Sequence, residues 1–154
     1  MNSVLDTWDH PNPHTLEAQV EAQDMDGLQH TNNTVYVRWC ERVAWSHSVA
    51  LGLDLDCYRQ LDRAMAITHS EFEYLAASHE GDKIVAGTWI VDWDGRLTMR
   101  RRFQIVRVDD GVTLLRGGMR FACIEISTGK PRRLPHEFVE GYGPAVLKDQ
   151  PVSS

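Results

Sequence analysis

The sequence predicts an α+β domain: one strand, one long helix, then an antiparallel run of strands. Three observations carry that expectation. Tyr36, Trp39, Cys40, Val43 and His47 recur at i, i+3, i+4, i+7 and i+11, one face of an amphipathic helix. From Ala66 onward the period changes to two, as strands require. That second half is punctuated by Glu80-Gly81-Asp82, Asp94-Gly95 and Asp109-Asp110-Gly111, turn signals that separate one strand from the next.

Taken in order, residues 1–13 form a turn-rich arm around Asp9-His10-Pro11-Asn12-Pro13, with little core-forming material. Leu16, Ala18, Val20 and Ala22 alternate with Glu17, Gln19, Glu21 and Gln23, a half-buried strand. A polar loop from Asp24 leads to the helix, with Asn33 where an N-cap belongs and Gly52 where the helix should stop. Residues 53–63 read as a short second helix or irregular turn, with Leu55, Tyr58 and Leu61 on one side. Strands are expected at residues 66–77, 83–93, 97–108 and 112–127. The first of these places Ile67, His69, Glu71 and Glu73 on one face. Gly117-Gly118 in the last signals a bulge or a close backbone approach. Pro135 opens a short terminal helix. The domain is expected to span residues 14–147, with 148–154 as a tail.

At 154 residues the chain is long enough for one domain with one core. Its net charge of −6 argues against a general nucleic-acid binder, which carries a basic excess. Cys40, Cys57 and Cys123 are far apart with no C-x-x-C spacing, so a disulfide scaffold is not implied and a reducing cytosol fits. The first residues lack the basic and apolar regions of a signal peptide, and no apolar run approaches a membrane span. The expectation is a soluble, cytoplasmic protein without a membrane role. The histidines show no metal-ligand spacing, so no metal is expected. Neither a Walker loop nor a G-x-G-x-x-G is present.

The chemistry-bearing stretch is Asp24 to Glu41. Asp26 precedes a helix start, whose unpaired N–H groups and partial positive charge suit a developing anion. A carboxylate beside an anion hole is a hydrolytic arrangement, although Asp26-Gly27 is also a common turn pair. Asp24 is a possible charge neighbour that would tune Asp26, or a solvated loop acid.

The same residues carry a resemblance. Asp24-Met25-Asp26, then His30, Asn32-Asn33, Tyr36, Trp39 and Glu41, resembles the signature of 4-hydroxybenzoyl-CoA-thioesterase-like hotdog proteins. Gln29 stands where that signature has Gly, and Thr31 where it has Val, departures that touch loop shape rather than the acid. Weaker likenesses at Glu73-Tyr74-Leu75, Gly81-Asp82 and residues 129–135 extend it over residues 14–140. The resemblance implies a single hotdog domain, an antiparallel sheet wrapped around one long central helix and paired edge to edge as a homodimer or homotetramer.

It also implies an acyl-CoA thioesterase with no cofactor beyond the CoA of its substrate. Asp26 would be nucleophile or general base, and the helix start at Asn33 would hold the oxyanion. His30, Asn32 and Tyr36 belong to the substrate-binding motif. Arg132 and Arg133 are the favoured contacts for CoA phosphates. In the other basic cluster, Arg100-Arg101-Arg102, alternation turns Arg101 away from its neighbours. Five tryptophans are most simply core, but Trp faces also attract quaternary ammonium, as a betainyl-CoA thioesterase branch would need. The alternatives are a hotdog hydratase or dehydratase using His30 with Glu41, and a non-catalytic acyl-CoA-binding dimer.

Overall fold

The computed structural model describes residues 7–148, so the start of the arm and residues 149–154 of the tail lie outside the described residues. The strands are β1 (His14–Gln19), β2 (Arg63–Tyr74), β3 (Lys83–Trp93), β4 (Thr98–Arg107) and β5 (Thr113–Glu125). They form one five-stranded antiparallel sheet in the order β1-β3-β4-β5-β2. The helices are α1 (Asn33–Ala50), α2 (Leu55–Leu61) and α3 (His136–Tyr142). None of them is long and apolar enough to cross a membrane. By contacts the chain groups into two compact units. One holds residues 7–47, 71–88 and 103–118; the other holds 48–70, 89–102 and 119–148. Helix α1 and strands β2 to β5 contribute residues to both.

The predicted apolar stripe of α1 is its buried face: Tyr36, Trp39, Cys40 and Val43 are each at most 3% exposed. Burying a large apolar side chain contributes roughly 1.5–3 kcal/mol, which offsets the entropy of ordering the helix. The cap differs from expectation. Asn32 Oδ1 accepts from Thr34 N at 3.0 Å and from Thr34 Oγ1 at 2.9 Å, so Asn32 is the cap and Asn33 the first helical residue. Gly52, at φ 84°, ends the helix as predicted.

Strand β1 alternates as expected but stops at Gln19; Ala22 belongs to a tight 3₁₀ turn, Ala22–Asp24. The Asp24 carboxylate accepts from Glu21 N at 2.9 Å, which favours that turn over an extended chain. β2 begins and ends three residues before the expected span, so residues 75–77 leave the sheet. β5 runs through Gly117-Gly118 as one strand, and its register against β4 slips by one residue between the Arg107–Val112 and Leu97–Cys123 bonds, as a bulge requires. Close approach holds there too: a Cβ at Gly117 would lie 2.5 Å from Phe72 Cδ1 and 3.0 Å from Glu71 O. Leu55 is 45% exposed rather than packed beside Tyr58.

In the second unit Tyr142 and Phe138 of α3 are fully buried, with Tyr142 Oη 2.8 Å from Ser48 Oγ. Arg101 is buried there, 1% exposed, and burial lowers its pKa to about 10; Arg102 is exposed, as the alternation required. In the first unit, residues of the arm pack on the sheet. Trp8 covers Gly87, where a Cβ would come within 2.8 Å of the indole. Buried Gln104 accepts from Asp9 N and donates to Thr7 O and Thr113 Oγ1, each at 2.9 Å. Arg116 pairs with both carboxylate oxygens of Asp9, at 2.8 and 2.9 Å. Cys40 and Cys123 are buried, and burial pushes the Cys40 thiol far above its ordinary range.

Candidate active site

Asp26 sits in a loop that its own carboxylate organises. Oδ1 accepts from Leu28 N at 2.8 Å and from His30 N at 3.1 Å, while Asp26 N donates to His30 O at 2.7 Å. This is turn chemistry, so the turn role weighed from the sequence is real. The His30 amide, then that of Leu28, hold the Asp26 carboxyl below the usual carboxylate range. The group is therefore ionised at neutral pH, with Oδ2 taking no hydrogen bond among the described residues.

Gln29 occupies the left-handed region, φ 63°, at the position where the resembling signature has Gly. A side chain there costs roughly 1–2 kcal/mol, partly offset by the lower unfolded-state entropy of a non-glycine residue, about 0.4–1 kcal/mol. Gln29→Gly is expected to stabilise the protein by roughly 0.5–1 kcal/mol and raise Tm by about 1–4 °C. A melting curve at or below that of the wild type would show that the loop carries no strain at this residue.

Thr31, the second departure, has a distinct task. It is 4% exposed, and its hydroxyl lies 2.7 Å from Ser78 Oγ and 3.1 Å from Ser78 O, to which Thr31 N also donates at 2.9 Å. Ser78 Oγ also bonds Tyr36 Oη at 2.6 Å. Fully buried Ser78 thus ties the end of the Asp26 loop to the first turn of α1. A valine at 31 would lack the hydroxyl for this network, which is the physical sense of the Thr.

Asp26, His30, Asn33 and Tyr36 line one cleft of about 310 Å³, with Thr31, Tyr74 and residues 75–77 completing its wall. The sequence motif therefore converges in space. Asn32 acts as the cap, which leaves Asn33 N–H as the helix amide that takes no acceptor among the described residues. An ionised carboxylate and an unpaired helix-start amide in one cleft are the parts needed for attack on a carbonyl and for holding its oxyanion. His30 meets His79 edge-on, ring centres 5.4 Å apart. Asp24 is neither solvated nor a cause of the Asp26 shift; it is buried, serves the 3₁₀ turn, and its carbonyl accepts from Asn32 N at 2.8 Å.

Other singled-out residues lie outside this cleft. Arg132 is engaged with Glu125 Oε2 through two nitrogens, at 3.0 and 2.8 Å, and Arg133 is exposed; both belong to the second unit. Glu41 is exposed and does not line the cleft with His30. No tryptophan lines it either; Trp39 and Trp89 are core, 3% and 4% exposed. Among the described residues, no three His, Cys, Asp or Glu side chains gather as a metal site would require. Sequence reasoning missed Ser78 and the wall at residues 74–77. Tyr74-Leu75 carried a weak likeness to the family, but nothing local aimed them at Asp26.

Comparisons with known proteins bear on the family and the fold. A family model described as the thioesterase-like superfamily matches residues 20–142. Comparison with curated protein sequences gave no match. Among solved structures, a Staphylococcus aureus protein in complex with CoA superposes with TM-score 0.82 at 18% identity, covering 93% of this chain and 89% of that one. A 1,4-dihydroxy-2-naphthoyl-CoA thioesterase from Synechocystis gives 0.74 at 21% identity, covering 82% and 93%. A DHNA-CoA thioesterase from Staphylococcus aureus gives 0.77 at 20% identity, covering 84% and 88%. These similarities mark the hotdog fold, and the family match extends over most of the chain. The chain belongs to the thioesterase-like superfamily, a class of thioester hydrolases.

Proposed function

We propose that the protein is an acyl-CoA thioesterase that uses Asp26 for attack and the Asn33 amide for the oxyanion. The observation that supports this best is the shared cleft. The carboxylate is held ionised by its own loop, and Asn33, whose amide takes no acceptor among the described residues, lines the same cleft. In hydrolysis, an oxygen adds to the thioester carbonyl, the tetrahedral oxyanion takes the Asn33 N–H, and the C–S bond breaks. The products are the free acid and the CoA thiol. Asp26 supplies the attack either directly, through a covalent anhydride, or by taking the proton of an attacking water. His30, Asn32 and Tyr36 shape the site, Asn32 through the helix cap and Tyr36 through Ser78. Arg132 would contact a CoA phosphate through Nη1, since Glu125 takes its Nε and Nη2.

The aromatic walls of the cleft are Tyr36 and Tyr74, ring centres 6.1 Å apart. A betainyl-type cation would therefore be met by tyrosine rather than tryptophan faces. The test is a thiol-release screen across short, branched, aromatic, long and trimethylammonium acyl-CoAs at high ionic strength. Cation–π attraction of on the order of 0.5–2 kcal/mol gives the trimethylammonium group a roughly twofold to thirtyfold preference over its neutral isostere in kcat/KM. A preference for the isostere discards the cationic substrate and leaves the thioesterase standing. Acyl-CoA bound without thiol release would make the protein a non-catalytic acyl-CoA binder instead.

A further inference from the structure

The cleft wall at residues 74–77 is held by a side chain that does not itself line the cleft. Residues 75–77 have left the sheet, so the β2 ladder does not fix them. The amides of Leu75 and Ala76 share Leu114 O, at 2.8 and 3.4 Å. The next hold along the segment comes from Arg107, the last residue of β4, whose Nη1 donates to Ala77 O at 2.8 Å across thirty positions of sequence.

Arg107 does more than its own turn asks. Its Nε and Nη2 donate to the two carboxylate oxygens of Asp110, at 3.0 and 2.8 Å, which closes the hairpin between β4 and β5. That pair uses two of the three guanidinium nitrogens. The third, Nη1, takes Ala77 O and lies 3.9 Å from Asp82 Oδ2. Asp82 Oδ2 in turn accepts from His79 N at 2.9 Å. The backbone is therefore gripped on both sides of Ser78, at the carbonyl before it and at the amide after it. Ser78 is fully buried, and its hydroxyl bonds both Thr31 Oγ1 and Tyr36 Oη. The Asp110 carboxylate holds the Arg107 guanidinium above its ordinary range, so the grip keeps its charge.

We infer that Arg107 is a positioning residue for hydrolysis at Asp26. By pinning Ala77 O, and with Asp82 the amide of His79, it fixes where Ser78 stands. Ser78 in turn sets the end of the Asp26 loop against the first turn of α1. The hydrolytic role rests on the thioesterase reading; the clamp rests on the contacts alone. Attack geometry is sensitive to such support, since a misplacement of about 1 Å can cost about 10²-fold in rate.

The test combines kinetics on the best acyl-CoA of the thiol-release screen with amide hydrogen exchange. Both are run well below the melting transition on the wild type, Arg107→Gln, Ser78→Ala and the double variant. Arg107→Gln is expected to lower kcat about tenfold or more. The loss in the double variant should fall well short of the product of the two single losses, because both changes cut one path. Exchange at the Thr31 and His79 amides, which donate to Ser78 O and Asp82 Oδ2, should quicken about tenfold or more, and by more than in the middle of α1. Arg107→Lys keeps the charge but loses the fork, so it should lie between the wild type and Arg107→Gln in both readouts. It carries the test if the glutamine variant does not fold. A kcat within about twofold of the wild type, with only the melting temperature lowered, would reduce Arg107 to its turn and overturn the inference. Fully multiplicative losses in the double variant would overturn it as well. Absence of hydrolysis by the wild type with every acyl-CoA would overturn the thioesterase reading and the hydrolytic role with it. The exchange rates would still decide the clamp, which unchanged exchange at Thr31 and His79 would overturn.

Discussion

Asp26→Asn is expected to lower kcat by at least about 10²-fold, and by up to about 10⁴-fold if Asp26 acts only as a base. The fold should persist, because the amide oxygen of asparagine can still accept from Leu28 N and His30 N as Oδ1 does now. What disappears is the negative charge and the second carboxylate oxygen. A melting curve and a thiol-release assay on the same sample check both halves. Unchanged turnover in a folded variant would reduce Asp26 to its turn role. The pH profile is a companion readout. The folded pKa is depressed by the two amides, so the ionised form and the stability it brings are both fully present above the ordinary aspartate value of about 3.9. Both are lost only as pH falls through the lower, folded value. The acid limb of kcat/KM should therefore lie below about pH 4.

Light scattering is expected to give a mass of at least two chains, twice 17.6 kDa. The ground is β2, a twelve-residue strand at the end of the sheet order, exposed from Ile67 to Glu71 and with Ile67 itself 45% exposed. Tyr74 and Leu75 at its exit are 44% and 46% exposed. A long edge with apolar side chains is a template for another strand, and most folds shorten, charge or cover such an edge. The opposite edge, β1, has only six residues. We propose that a second copy pairs along β2, which would also cover the exposed Tyr74 and Leu75 of the candidate cleft. A single-chain mass at micromolar concentration would sink this assembly.

The fold was legible where side chains alternate or recur along a single element. The α1 stripe, the β3 limits and the turns at Gly81, Gly95 and Gly111 all follow from local pattern, and those glycines do adopt positive φ. Boundaries slipped where side chains compete with the backbone. The Asp24 carboxylate diverts the end of β1 into a turn, and Asn32 takes the cap from Asn33 by bonding Thr34. The Asp26 half of the cleft was legible because Asp26, His30, Asn33 and Tyr36 lie within eleven residues. Its other wall was not. Ser78 reaches Thr31 and Tyr36 across forty-two or more positions, a pairing set by tertiary structure and invisible to local spacing.

The packing of Trp8 on Gly87 bears on how many ways this protein can meet another. A sheet offers an edge and two faces to a partner. Where the indole lies on bare backbone, with Gln104 and Arg116 gripping the residues around it, that stretch of face is already occupied by the chain itself. Displacing the arm would leave the buried Gln104 amide with Thr113 Oγ1 and strand its Oε1, now held by Asp9 N, a desolvation cost of about 1–3 kcal/mol before any new contact forms. A second chain meeting this stretch of face would first have to displace the arm.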